Sequence, residues 1–200
     1  MEMTDPWPTV IAKSQYPGNL EKVKNIILEA NEKFAHGQYN TTRHGHQPKY
    51  TVWPHNWQFP DWLPVREWIQ GQLEEYCQKV FNVKYPVEVR NSWTVTYNEG
   101  GFQEMHAHPG NDISCMLVVQ ESEGGEFVVP NPATASSFTL FNPWCQKVKV
   151  EAGDFLIWPS WMTHYTFPTK GERKKIIISM DAMMVPGREE YEKDFEKEWI

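Results

Sequence analysis

GGFQEMHAHPGNDISCMLVVQ, residues 100–120, sets two histidines, His106 and His108, between a glycine pair and an unbroken apolar run. Side chains two apart on a strand leave the backbone on the same face, so both imidazoles can point at one ion while Ala107 points away. A third ligand must come from a distant strand. His164 meets that need in GDFLIWPSWMTHYTF, residues 153–167. There Gly153 and Asp154 read as a turn, Phe155 to Trp158 as a buried strand, Pro159 and Ser160 as a bend, and His164 opens the next strand.

Working outward, the chain after about Val89 is a series of short apolar runs separated by glycine, proline and asparagine: SWTVTY, DISCMLVVQ, GEFVVP, SFTLF, KVKV, DFLIW, HYTF and KKIIISMDAM. Strands at such spacing without intervening helical patterns predict an antiparallel sandwich or barrel. Before them, residues 10–14 (VIAKS) read as a short strand. A helix capped by Asn19 follows, its stripe formed by Leu20, Val23, Ile27, Ala30 and Phe34. A second helix is expected from Asp61, with Pro64 in its first turn and Trp68, Leu73, Tyr76, Cys77 and Val80 inward. A polar, aromatic-rich loop, residues 37–60, separates the two and is long enough to form a lid. The expected plan is one domain over residues 1–200: helical support at 1–88, barrel core at 89–185, and a charged tail at 186–200 that reads as a solvated helix.

Composition narrows the function. With 26 Asp and Glu against 19 Lys and Arg, the net charge of −7 disfavours nucleic acid, whose binding rests on neutralised phosphates. Three scattered cysteines, Cys77, Cys115 and Cys145, form neither a CxxC motif nor an even framework, which points to a reducing cytosol. The first residues lack a basic then apolar leader, and no apolar run approaches the ~18 residues of a membrane span. The expectation is a soluble cytoplasmic protein without a membrane partner. Its oligomeric state is not readable.

A second HxH, His44-Gly45-His46, lies in the polar stretch TTRHGHQPKY without a strand pattern, and reads as a loop rather than a metal site. The pair at His106 and His108 has a strand before it, a glycine turn (Gly100, Gly101) delivering it and an apolar strand after it. Imidazole suits zinc, copper, iron and nickel, and three facial ligands that leave positions open are the arrangement of non-haem iron oxygenases.

From Ser92 to Ala182 the sequence resembles the Fe(II)/2-oxoglutarate-dependent oxygenases, in particular a branch with members in bacteria and phages. The shared pattern is HxHP, a serine-started apolar strand, a GE-apolar strand with a PNP-like turn, a G-D-apolar-PS-H segment and a final basic-apolar strand. The resemblance implies a double-stranded β-helix, a jelly-roll or cupin-like barrel buttressed by the N-terminal helices. It implies iron(II) held by His106, His108 and His164, 2-oxoglutarate as cosubstrate, and ascorbate as reductant. The reaction would hydroxylate a small molecule or an amino-acid side chain and release succinate and carbon dioxide, in the cytoplasm, a host's if the chain is phage-encoded. Lys175 stands where the family usually has arginine and would pair with the distal carboxylate of 2-oxoglutarate, with Arg173, of the same parity, as substitute.

The commonest triad of the superfamily has Asp or Glu where His108 stands, so a carboxylate from Glu104 or Asp112 remains an alternative ligand. Tyr97 or Ser114 would complete the carboxylate site, and Trp158, Trp161 and Trp93 would wall the substrate pocket. Two rivals stay open. One is a cupin-type metalloenzyme with a three-histidine iron site, which Gly153, Pro159 and His164 fit although Trp161 replaces a glycine and no glutamate closely follows the HxH. The other is a non-catalytic barrel that binds a partner.

Overall fold

The computed structural model describes residues 10–33, 42–46, 63–82, 84–131 and 144–185. The expected strand SFTLF, the charged tail, Phe34 and most of the 37–60 loop lie outside them. Among the described residues two helices, α1 (Leu20–Lys33) and α2 (Leu63–Phe81), form where the apolar stripes lie. Asn19 caps α1 by accepting a hydrogen bond from the Lys22 amide at 3.0 Å. Asn82, at φ 55°, closes α2 in the left-handed conformation that asparagine tolerates.

Among the described residues eleven strands accompany the helices: β1 (Ala12–Gln15), β2 (Thr42–His46), β3 (Val87–Gln103), β4 (Ile113–Gln120), β5 (Glu123–Gly124), β6 (Phe127–Pro130), β7 (Cys145–Val148), β8 (Asp154–Pro159), β9 (Tyr165–Thr166), β10 (Thr169–Lys170) and β11 (Lys175–Met184). Six of them form an antiparallel sheet in the order β1-β8-β4-β11-β3-β2. Opposite stand a three-stranded sheet, β7-β6-β9, and a two-stranded one, β10-β5. This is the double-stranded β-helix, two packed antiparallel layers with helices behind the larger one.

Strand alternation divides the core in two. Ile176, Ile178, Met180 and Ala182 of β11, Cys115, Leu117 and Val119 of β4, and Phe155 and Ile157 of β8 pack with Val23 and Ile27 of α1 and Ile69, Leu73, Tyr76 and Cys77 of α2. Ile177, Met116, Val118, Leu156 and Trp158 point the other way, into the barrel, with Val95, Tyr97, Phe127 and Val129. Trp68 lies edge-on between Tyr16 and Phe155, at 5.1 and 5.3 Å, and fastens α2 to β8. Each fully buried aliphatic side chain of the helix layer contributes about 1.5–3 kcal/mol. Truncating Ile69 or Leu73 to alanine is expected to cost about 2–5 kcal/mol.

Two sequence expectations need correction here. His44-Gly45-His46 is strand, not loop: β2 lacks apolar alternation and exists because β3 offers it an edge, pairing Thr42 with Gln103 and His46 with Thr96. The glycine pair Gly100-Gly101 lies within β3 rather than in a turn after it. There β3 bows out of register against β2, and a Cβ at Gly101 would come within 2.8 Å of the His44 carbonyl oxygen and 2.9 Å of Tyr97 Cβ.

Candidate metal centre

Segment 106–112 runs beside segment 160–164 as a short zipper. His106 and His164 exchange both backbone hydrogen bonds, at 3.0 and 2.9 Å, the His108 amide donates to the Ser160 carbonyl at 2.9 Å, and the Ser160 amide donates to the Asp112 carbonyl at 3.0 Å. Thr166 and Thr169 then sew the following chain to β3, through the Gln103 and Gly101 amides. This zipper makes one cluster of residues far apart in sequence. One ring nitrogen from each of His106, His108 and His164 lies within 4.8 Å of the others, the one such grouping of potential ligands among the described residues.

Hydrogen bonding decides which nitrogen faces inward. His106 Nδ1 lies 2.7 Å from the Glu104 carbonyl oxygen, His164 Nδ1 3.0 Å from that of Met162, and His108 Nδ1 about 3.0 Å from the Asp181 carboxylate. Each acceptor fixes the proton on Nδ1 and leaves the lone pair on Nε2, the tautomer that a metal-bound histidine adopts. His108 Nε2 is buried without a hydrogen-bond partner among the described residues. An orphaned buried acceptor of this kind fits an absent cation. Burial, and after it the neighbouring His106, pushes His164 down to about 3, and burial also lowers His106, so both imidazoles are neutral at pH 7. Trp93 stacks on His108 with centroids 5.6 Å apart, and Phe127 and Trp158 pack on His164 at 5.3 and 5.0 Å.

The carboxylates considered as alternative ligands are engaged elsewhere. Glu104 pairs with Arg43 at 2.8 Å, and Asp112 accepts from the Met184 amide at 2.8 Å. Asp181 is the acid that sequence reading missed. It shares the inward parity of Lys175, Ile177 and Ser179, and counting two beyond Ser179 along that strand reaches it.

The cluster opens on a cavity of about 330 Å³ walled by Trp93, Val95, Tyr97, Phe127, Trp158 and Ile177. That is within the size range of small-molecule sites. Trp158 is buried and its indole N–H has no acceptor among the described residues. Trp161 is 59% exposed and does not line the cavity.

Lys175 begins β11, paired across to Tyr97, and is the one buried Lys or Arg among the described residues. Its ammonium donates to the Gly125 carbonyl, and burial pushes its pKa down to about 8, opposed in part by Glu126. Gly125, at φ 67°, allows this approach, since a Cβ there would lie 3.1 Å from Lys175 Cδ. The Tyr97 hydroxyl, kept protonated by burial, donates to Gln103 Oε1 at 3.1 Å.

Arg173 is not brought to this end. It precedes β11, is largely exposed and pairs with Glu121 at 2.8 Å, because the alternation used to place it inward starts only at Lys175. Ser114 is not brought there either. It faces Asp181 across β4 and β11, donating to that carboxylate at 2.7 Å and contacting Ser160 Oγ at 2.8 Å, six residues along the strand from Lys175 and so roughly 20 Å away.

Comparison with known proteins points to the same fold. Residues 91–181 match the family model described as putative 2OG-Fe(II) oxygenase. No curated protein matches the sequence. The structure is similar to HygX from Streptomyces hygroscopicus with nickel and 2-oxoglutarate bound, at 14% identity and TM-score 0.61 over 88% of this chain and 84% of that one. It is also similar to viral collagen prolyl hydroxylase vCPH from Paramecium Bursaria Chlorella virus-1 in its 2OG complex, at 16% identity and TM-score 0.59 over 88% and 96%. A Pseudomonas putida prolyl-4-hydroxylase matches at 12% identity and TM-score 0.59 over 88% and 93%. At these identities the likeness to solved structures is one of fold. The matched segment holds the three histidines, Tyr97, Lys175 and Asp181, and over it the chain is similar to the 2OG-Fe(II) oxygenases.

Proposed function

We propose that the chain is an iron(II)- and 2-oxoglutarate-dependent hydroxylase whose metal is held by Nε2 of His106, His108 and His164. The observation that carries the reading is the commitment of all three Nδ1 atoms to oxygen acceptors, with an orphaned Nε2 on His108. Bound there with 2-oxoglutarate, iron(II) supplies the oxidative decarboxylation that consumes dioxygen, releases succinate and carbon dioxide, and hydroxylates a C–H bond.

The chain's own residues bind and orient. Lys175 anchors the far carboxylate of the cosubstrate. Its ammonium has three donors, of which Gly125 takes one, and in a dry pocket a carboxylate without a cation would be costly. Tyr97, opposite Lys175, supports the same end. Trp93, Phe127 and Trp158 exclude water around the histidines, and the free indole N–H of Trp158 is a donor for the bound substrate. The net charge of −7 and the apolar wall favour a small molecule or an amino-acid side chain over a nucleobase.

The test is succinate formation from 2-oxoglutarate by protein reconstituted with iron(II) and ascorbate, without prime substrate. Slow turnover that disappears in His164→Ala is expected. Absence of succinate in the wild-type protein, with iron bound, would favour the cupin-type reading.

A further inference from the structure

Asp181 stands on the inner face of β11, 4% exposed, at the bulge where β11 shifts register against β3. Among the described residues its carboxylate accepts from the His108 Nδ1–H and from the Ser114 hydroxyl, backed by Ser160. A carboxylate so placed is expensive to bury unless a positive charge offsets it. A cation on the far nitrogen of His108 would do so. Conversely, three neutral imidazoles alone would leave the charge of a divalent ion uncompensated beside Trp93, Met116, Trp158 and Ile177.

Resting on the three-histidine reading above, we infer that Asp181 is the charge-compensating carboxylate of this centre, acting on the metal through the His108 ring instead of by direct ligation. It accepts the Nδ1–H, fixes the ring orientation and makes Nε2 a stronger donor. The net charge of centre plus Asp181 then equals that of two histidines and one direct carboxylate, the set that non-haem iron(II) oxygenases use. Asp181 is a positioning residue, and Ser114 and Ser160 hold it in place.

The experiment is anaerobic titration with cobalt(II) alone, read by its visible ligand-field spectrum, together with thermal unfolding of the metal-free protein. Wild type is compared with Asp181→Asn, Asp181→Glu, His108→Ala and His164→Ala. Asparagine keeps an acceptor for His108 and a donor for Ser114 while removing the charge. It is expected to weaken cobalt binding about 10–100-fold and to leave metal-free Tm unchanged or raised. Glutamate, which restores the charge, is expected to recover most of the affinity.

Wild-type affinity in Asp181→Asn, with His164→Ala still defective, would overturn this inference and leave the three-histidine reading standing. Affinity and metal-free Tm falling together in Asp181→Asn, or no recovery in Asp181→Glu, would mark a merely structural role and overturn it too. Cobalt retained by both His108→Ala and His164→Ala would overturn the three-histidine reading itself.

Discussion

The chain contains two HxH motifs, one on the edge strand β2 and one in the connection between β3 and β4, and among the described residues only the second gathers a third histidine. At His44-Gly45-His46, on the edge strand β2, His44 is exposed with φ 48°, and the register against β3 shifts between Arg43 and Gly45. The rule that residues two apart share a face holds for extended backbone and fails there. At His106 and His108 the backbone is zippered to segment 160–164, which brings His164 alongside. Spacing alone therefore does not make the centre. A partner segment that delivers the third imidazole, and an oxygen acceptor behind each ring, do.

The largest effect expected from this contrast is on iron itself. His164→Ala and His108→Ala should each weaken iron(II) binding by more than the ~10–100-fold typical of outer contacts, whereas His44→Ala should leave it unchanged. Equilibrium dialysis of the three variants under anaerobic conditions checks this. Loss of iron in His44→Ala would erase the distinction between the motifs.

Next in size is the contrast between the two basic residues at the start of β11. Lys175→Met should raise the 2-oxoglutarate requirement on the order of 30-fold or more, the scale of a lost buried charge partner, with iron affinity little changed. Arg173→Glu, altering an exposed pair with Glu121, should change it by less than about two-fold. Initial rates of succinate formation against 2-oxoglutarate separate the two.

Smaller effects appear with pH, and at both ends of the barrel native stability rises with pH, over different windows. His164 is pushed down to about 3 and an unfolded imidazole titrates near 6.5, so the unfolded chain takes up protons that the native one refuses. Metal-free protein should lose stability as pH falls from about 6.5 toward 3. Lys175, at about 8 against an ordinary value near 10.5, acts in the same direction over a higher window: its burial cost is present in full below pH 8 and is relieved as pH rises from there toward 10.5. 2-Oxoglutarate affinity, which needs the ammonium, should fall over the same rise. Thermal melts and binding titrations across pH check both.

Much of the barrel was legible because its strands alternate or run continuously apolar, and α1 because Asn19 and the spacing of Val23 and Ile27 announce it. The three histidines were legible as a set from the HxH spacing and from the strand, bend and turn signals before His164, although His106 and His108 lie in the connection between β3 and β4 and not on a strand, and His106 meets His164 in a lone bridge. What stayed hidden depends on tertiary partners. β2 is strand only through β3, and Arg173 fails because parity has no meaning before a strand begins. Tyr97 and Ser114 read as alternatives for one carboxylate site, yet the two flank β11 at opposite ends, which only strand order and register reveal. Asp181 was within reach of the alternation that selected Lys175, but its importance comes from His108 lying opposite it.

The most direct test of the account is anaerobic titration of the iron(II)-loaded protein with 2-oxoglutarate, following the weak visible charge-transfer band of a chelated 2-oxo acid. The account predicts a band that saturates at about one iron per chain, is absent in His164→Ala, persists in His44→Ala and requires more 2-oxoglutarate in Lys175→Met. No band in the iron-loaded wild type, or an undiminished band in His164→Ala, would contradict it.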